Sequence, residues 1–175
     1  MKKVSDIHAI KIIFFITACY VGLWAIRIPT IKDQLQTDYV GVGYIMLSFA
    51  IGSIVAMIFA NALILKTSTK SILTCTLIAE GCLWLPVPFI QELWLFMVFS
   101  FVFGMSYGAF EIACNVYASN LEVREKKSMM SGFHAFWSLG VLFGSLITSF
   151  LLEWNYSFIF NILFYVIILL PLSLY

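Results

Sequence analysis

Six long apolar stretches, separated by short polar or charged segments, make up almost the whole chain. They run over about 10–28, 40–65, 72–90, 93–120, 130–152 and 156–174. Each is about as long as, or longer than, the roughly 20 apolar residues that a helix needs to cross a bilayer. Backbone groups in lipid must find partners within their own segment, which favours helices. The pattern predicts an all-α membrane protein with six transmembrane helices. The first helix is expected to stop at Pro29, and the third to break at Pro86 and Pro88.

The first helix of each half of the chain carries polar or small side chains at intervals of three and four residues. In helix one these are Thr17, Tyr20, Trp24 and Arg27, and in helix four they are Gly104, Gly108, Glu111, Asn115 and Ala118. Residues at these spacings share one helix face. The hydropathy pattern therefore favours two three-helix repeats, about 1–90 and 91–175, within a single domain that covers residues 1–175.

Composition agrees with a membrane protein. Hydrophobic residues make up 62% of the chain and charged residues 11%, against about 25% charged residues in soluble domains. No basic patch with interleaved aromatic residues is present, so nucleic acid is not an expected partner. The cysteines lie singly in apolar stretches without metal-ligand spacing, so neither a metal nor a cofactor is predicted; they are Cys19, Cys75, Cys82 and Cys114.

The distribution of positive charge predicts the orientation in the membrane. With the N-terminus in the cytoplasm, eight Lys and Arg residues fall on the inner side, namely Lys2, Lys3, Lys11, Lys66, Lys70, Arg124, Lys126 and Lys127. Only two, Arg27 and Lys32, fall on the outer side. Cytoplasmic loops of membrane proteins carry such an excess, so both termini are expected inside.

Small residues mark the expected helix contacts. Gly104/Gly108 and Gly140/Gly144 are GxxxG pairs, and helix two carries a small-residue stripe formed by Ser48, Gly52, Ala56 and Ala60. Small side chains let helix backbones approach closely in lipid, where no hydrophobic force drives helices together.

Glu111 is the main candidate for chemistry, because an acid deep in a membrane span is costly and normally serves a function. It is expected to accept a hydrogen bond from a solute or to carry a proton. The alternative is a structural carboxyl group bonded to a neighbouring helix. Asn115, one turn later, has the same two interpretations, and Glu80 in helix three is expected to be structural. Tyr20, Trp24 and Arg27 on helix one complete the candidate pathway for solute or protons.

His134 lies near the cytoplasmic end of helix five and is a candidate for a pH-sensitive gate. The alternative is a hydrogen bond at the helix end. His134 and Ser138 are four residues apart, but no orienting acid or oxyanion loop accompanies them, so enzyme activity is not expected. Arg124, Lys66 and Lys70 are the other gating candidates.

Three segments resemble transporters of the major facilitator superfamily, and in particular the bacterial group that contains fucose permease. The sequence GAFEIACN, which ends at Asn115, is similar to helix four of those permeases, and Met130–Gly140 resembles the start of their helix five. Trp24–Ile31 resembles the end of their helix one. The resemblance implies alternating-access transport of a small polar solute, such as a sugar, with proton coupling, in the bacterial inner membrane.

The resemblance also implies that this chain is the N-terminal half of a twelve-helix transporter, so a second six-helix half is expected, from a homodimer or a separate chain. Three features depart from the family pattern. Leu65 and Ser68 stand where the loop after helix two usually has an acid and a glycine, helix one has no acid, and the sequence ends after six helices. An inactive remnant, or a structural membrane subunit, therefore remains the alternative.

Overall fold

The computed structural model describes residues 2–173, except the side chains of residues 2–5, 60, 61, 63, 65, 170, 172 and 173. Over these residues it consists of helices joined by short turns and contains no strand. The helices are α1 (Lys2–Gln34), α2 (Tyr39–Lys66), α3 (Thr69–Trp84), a short 3-10 helix (Val87–Phe89), α4 (Leu93–Glu125), α5 (Met130–Glu153) and α6 (Phe158–Ser173). Their lengths are 33, 28 and 16 residues for α1 to α3, and 33, 24 and 16 for α4 to α6.

All six predicted helices are present. Five spans are long and apolar enough to cross a membrane within the described part of the chain. They are those of α1, α2, α4 and α5, and Thr69–Phe89, which joins α3 to the 3-10 helix, whereas α6 has a shorter apolar run, Phe158–Leu169. The predicted break in the third segment is confirmed, because α3 ends at Trp84 and the 3-10 helix follows Pro86. The predicted positions at Lys2, Lys3, Ala60, Leu65, Leu174 and Tyr175 lie outside the described side chains.

The prediction that helix one stops at Pro29 is wrong, because α1 continues through this proline to Gln34. Proline removes one backbone donor, a loss that helices in membranes tolerate when neighbouring groups take over. The end of α1 is held from outside the helix. The side-chain amide of Gln34 donates to the backbone carbonyls of Val87 and Ile90, at 2.9 and 2.6 Å.

Polar side chains at the turns fix where several helices begin. The backbone amides of Gly41, Ser71 and Phe160 donate to the side chains of Asp38, Ser68 and Ser157 at 2.9, 3.1 and 3.1 Å, each three residues upstream. Such contacts satisfy donors that the first helical turn leaves unpaired. Positive φ angles at Gln36, Lys126 and Asn155 (48°, 52° and 58°) follow the ends of α1, α4 and α5. This left-handed conformation commonly ends helices.

The structure divides into two compact units. The first unit contains the residues up to Arg27 together with those from Cys114 onward, and the second unit contains Ile28–Ala113. The first unit therefore includes most of α1, the end of α4, α5 and α6. The second unit includes α2, α3 and most of α4.

Glycines form the crossing of α1 and α5 in the first unit. A Cβ atom added to Gly140 would collide with the carbonyl oxygen of Phe15, and one added to Gly144 would collide with that of Cys19. Conversely, a Cβ atom added to Gly22 of α1 would collide with the backbone of α5. The predicted pair Gly140/Gly144 is therefore a close helix contact, as small residues allow in membranes.

Glycines form the crossing of α2 and α4 in the second unit as well. On α4, a Cβ atom at Gly104 would collide with the carbonyl oxygen of Phe49, and one at Gly108 would collide with the backbone of Ser53. On α2, a Cβ atom at Gly52 would collide with the carbonyl oxygen of Phe101. This confirms that the pair Gly104/Gly108 is a packing surface. Part of the face that the sequence assigns to the interior of helix four is thus covered by α2.

Aromatic rings fill the core of the second unit. The ring of Phe103 lies 5.9 Å from Phe49, 5.7 Å from Trp84 and 6.2 Å from Phe99 between centroids. Edge-to-face arrangements dominate, with interplanar angles of 79° to Phe49 and 84° to Trp84. Ring pairs of this kind stabilise a core beyond the area that they bury.

Candidate functional site

The polar face of α1 is directed into the first unit. Thr17, Tyr20 and Arg27 are 0%, 3% and 2% exposed, and Trp24 is half-buried. Arg27 and Tyr20 of this face contact α6 and the turn before it, and the glycine crossing brings α1 close to α5. The predicted role of these side chains in a solute pathway stays a prediction.

Arg27 is held by three groups at the start of α6. Its Nε donates to Oδ1 of Asn161 at 2.9 Å, and its Nη2 lies 3.4 Å from the backbone oxygen of Tyr156. The guanidinium carbon lies 5.2 Å from the ring centre of Phe158, which is a cation–π distance. Together these contacts connect α1 to α6 across the first unit.

A second buried polar cluster lies one turn further along α6, around Tyr165. The hydroxyl of Tyr165 donates to the backbone carbonyl of Gly144 and lies 2.9 Å from Oγ1 of Thr148. Because Tyr165 has only one hydroxyl proton, Thr148 acts as the donor in the second bond. The ring of Tyr165 also lies 6.0 Å from that of Tyr20. Tyr165 therefore joins α5 and α6 and contacts α1.

Analysis of the sequence missed Asn161 and Tyr165, which contact the α1 face, and Thr148, which bonds to Tyr165. A signal was present, since Asn161 and Tyr165 are four residues apart in a strongly apolar stretch and so share one face. Polar residues inside membrane spans usually face other helices and bond to them.

Glu111 lies near the middle of α4 and is half-buried. It belongs to the second unit, which ends two residues later, at Ala113. Asn115 follows one turn later, also half-buried, and belongs to the first unit. Glu80 of α3 is more deeply enclosed, at 5% exposure within the second unit. Glu80 and Glu111 are thus acids within membrane spans of the second unit, one buried and one half-buried.

The gating candidates lie at helix ends. Lys66 and Lys70 are exposed at the end of α2 and the start of α3. Arg124 forms ion pairs with Asp6 at 2.7 Å and with Glu125 at 3.1 Å. The pair with Asp6 connects the end of α4 to the beginning of α1 within the first unit.

The fourth helix is longer than the predicted stretch of about 93–120, because α4 continues to Glu125. The side chain of Glu122 explains the order of the turn that follows: its Oε1 accepts hydrogen bonds from the backbone amides of Met129 and, at 2.7 Å, Met130. Glu122 thereby satisfies donors at the start of α5, where the helix dipole also favours negative charge.

His134 is exposed, and its ring meets the edge of the Phe14 ring at 5.5 Å. The hydroxyl of Ser138 donates to the backbone carbonyl of His134 at 3.1 Å, not to its ring. This geometry does not form a Ser–His catalytic pair. No cluster of three or more potential metal ligands occurs among the residues that the structure describes.

Comparison with known proteins identifies a family over most of the chain. A family model described as "Major Facilitator Superfamily" matches residues 12–175. An uncharacterised MFS-type transporter of Yersinia pestis is 28% identical over 145 residues, which cover 81% of this chain and 37% of that protein. An uncharacterised transporter of Sinorhizobium fredii is 25% identical over 141 residues, which cover 75% of this chain and 35% of that protein. The chain thus spans little more than a third of each relative, and no solved structure matches it.

Proposed function

Because the chain belongs to the major facilitator superfamily, we propose that this multi-pass membrane protein moves a small polar solute across the bacterial inner membrane, driven by protons that Glu111 carries. The observation behind the proposal is a half-buried carboxylate near the middle of a membrane-spanning helix. An ionisable group at that depth is expensive and marks solute or proton pathways. Membership of a transporter family favours this role over a catalytic one.

The solute proposed is neutral and rich in hydroxyl groups, such as a sugar. Asn115 lies one helical turn after Glu111, and its amide both donates and accepts hydrogen bonds. A carboxylate and an amide at this spacing suit a ligand with adjacent hydroxyl groups. The segment that carries both residues is also one of those that resemble the group containing fucose permease. Tyr20, Trp24 and Arg27 are proposed as further contributors to the pathway from α1.

We propose that these six helices act together with a second six-helix bundle, supplied by a further part of a longer protein, a second copy or a separate chain. Transporters with repeated folds bind solute between two bundles that rock against each other. The matching lengths of α1 and α4, and of α3 and α6, support the proposal of two three-helix repeats within one bundle. In this scheme His134, Arg124, Lys66 and Lys70 are gating residues at the cytoplasmic ends.

The orientation is proposed from the charge distribution, with both termini in the cytoplasm. A cysteine placed at Lys126, in a variant without the native cysteines, should react with a membrane-impermeant maleimide only after the cells are opened. Reaction in intact cells would place the turn between α4 and α5 outside and reverse the proposed orientation.

Transport can be tested in cells that express the protein in its native assembly. Addition of a transported sugar to a lightly buffered suspension should make the medium more alkaline, because protons enter with the solute. A panel of monosaccharides and sugar alcohols identifies the solute, and cells with an empty vector are the control. If no solute in the panel moves, whether measured by pH or by radiolabel uptake, the structural-subunit alternative is favoured.

A further inference from the structure

We propose that Arg27 and Asn161 form a binding site for a small anion inside the first unit. Both side chains are buried: Asn161 is 0% exposed and Arg27 is 2% exposed. They come from helices that the chain separates widely, α1 and α6, and they meet through one bond of 2.9 Å. The ligand class is a monovalent anion of halide or carboxylate type.

The first argument is an excess of hydrogen-bond donors. A guanidinium has five N–H donors and no acceptor, and the structure assigns acceptors only to Nε and Nη2 of Arg27. Because Oδ1 of Asn161 accepts from Arg27, the orientation of its amide is fixed. Its Nδ2 is then a buried donor that finds no acceptor among the described residues. Nδ2 of Asn161 therefore requires an acceptor.

The second argument is charge. Within the first unit, no carboxylate among the described side chains forms an ion pair with Arg27, whereas Arg124 pairs with Asp6 and Glu125. Burying a charge is costly unless it is paired and hydrogen-bonded. The carbonyl of Tyr156 and the ring of Phe158 supply only partial negative charge. A bound anion would neutralise the guanidinium and accept from Nδ2 of Asn161 in the same step.

Two sources share this chemistry: a free small anion such as chloride or formate, and the carboxylate of a larger metabolite. Guanidinium groups bind carboxylates through two parallel bonds, and spherical anions through converging N–H groups. Because Arg27 and Asn161 are both buried, a large ligand would have no access to them, so we assign the site to the free small anion. The proposal makes no use of transport, so its test is independent of the function proposed above.

The test is the thermal unfolding of the purified protein in detergent, at one ionic strength, in sodium salts of chloride, formate, lactate and gluconate. We expect chloride and formate to raise the Tm by about 4 °C over gluconate, as saturating ligands do for a chain of this size. A rise with lactate alone would assign the site to a larger carboxylate. Equal Tm values in all four salts would overturn the proposal, and Arg27 would then be a purely structural clamp.

Substitution at Asn161 decides whether the response arises at this site. Asn161→Asp places a permanent carboxylate 2.9 Å from Nε of Arg27, so the folded protein should lose its response to small anions. Arg124→Gln removes a cation that is paired elsewhere and exposed, and this control should keep the full response. An undiminished response in Asn161→Asp would locate the anion elsewhere and overturn the proposal. This variant retains the contact with Arg27, so it remains informative if Arg27→Gln does not fold.

Discussion

In the first unit, Gly140 and Gly144 of α5 lie against the backbone of α1. In the second unit, Gly104 and Gly108 of α4 lie against the backbone of α2 in the same way. Both crossings depend on the absence of a Cβ atom. Beyond the glycines the two units differ. Hydrogen bonds between helices join α1, α5 and α6 in the first unit, whereas aromatic rings, mostly edge to face, surround Phe103 in the second.

The difference separates two ways of holding helices together in lipid. Directional bonds, such as those of Arg27 and Tyr165, fix the register of one helix against another but contribute modest free energy each. Rings contribute many small dispersion contacts, which depend on filled volume and less on orientation. The first unit should therefore be sensitive to the loss of single polar atoms, and the second to the loss of volume.

The largest effects are expected at the glycine crossings, equally in both units. Gly104→Val and Gly140→Val each place a side chain against a backbone carbonyl, which forces the helices apart and should lower the free energy of unfolding by about 3 kcal/mol. Gly43 and Gly132 have open space at the Cβ position, so Gly43→Val and Gly132→Val are matched controls. Unfolding in mixed micelles by sodium dodecyl sulfate measures each variant. Similar stabilities for crossing and control variants would contradict the packing.

The next effect is specific to the second unit. Phe103→Ala removes the ring that contacts Phe49, Trp84 and Phe99, and the cavity should cost about 3 kcal/mol. Phe59→Ala in α2 is the control, because that ring is 65% exposed. Phe103→Leu should recover more than half of the loss if volume is what matters. No recovery in that variant would indicate that ring geometry dominates.

A smaller effect is expected from the polar cluster of the first unit. Tyr165→Phe keeps the ring but removes the bonds to Gly144 and Thr148, so the free energy of unfolding should fall by about 1 kcal/mol. Tyr44→Phe, at a residue 51% exposed on α2, should be neutral. A loss of the same size in both variants would show that the buried hydroxyl has no special part in stability.

The smallest effect concerns the ion pair at the end of the first unit. Asp6→Asn removes the partner of Arg124 at 2.7 Å, but both side chains are partly exposed, so the loss should be about 0.5 kcal/mol. It should also shrink at high salt, because screening weakens exposed pairs. A loss that persists at high salt, about 1 M, would show that the pair is more enclosed than its exposure indicates.

Hydropathy and small-residue spacing predicted the six helices and both glycine crossings, because lipid leaves the backbone few alternatives. The end of α1 could not be predicted from Pro29, since Gln34 holds that end through carbonyls more than 50 residues away. The periodicity on α1 showed which residues share a face, but not which helix covers it. The covering helix is identified by Asn161 and Tyr165, which are single polar positions that hardly change the hydropathy of α6.

A comparison of two acids in the second unit can distinguish a chemical role for Glu111 from a structural one. Glu111 is half-buried in α4, and Glu80 is buried in α3. Glutamine keeps the size and hydrogen-bonding capacity of glutamate but cannot titrate. If Glu111 carries the proton, Glu111→Gln should abolish uphill accumulation while solute exchange continues. Glu80→Gln is the matched control, and it should accumulate solute like the unaltered protein.

The most direct measurement is therefore solute accumulation against its gradient, side by side with solute exchange, in vesicles that contain the full assembly. The unaltered protein is compared with the variants Glu111→Gln and Glu111→Ala. We expect no accumulation with either variant, and exchange near the original rate with Glu111→Gln. Accumulation by Glu111→Gln at the original level, with Glu111→Ala merely less stable by about 1–2 kcal/mol, would contradict the proton-carrier role and leave Glu111 as a structural bond between helices.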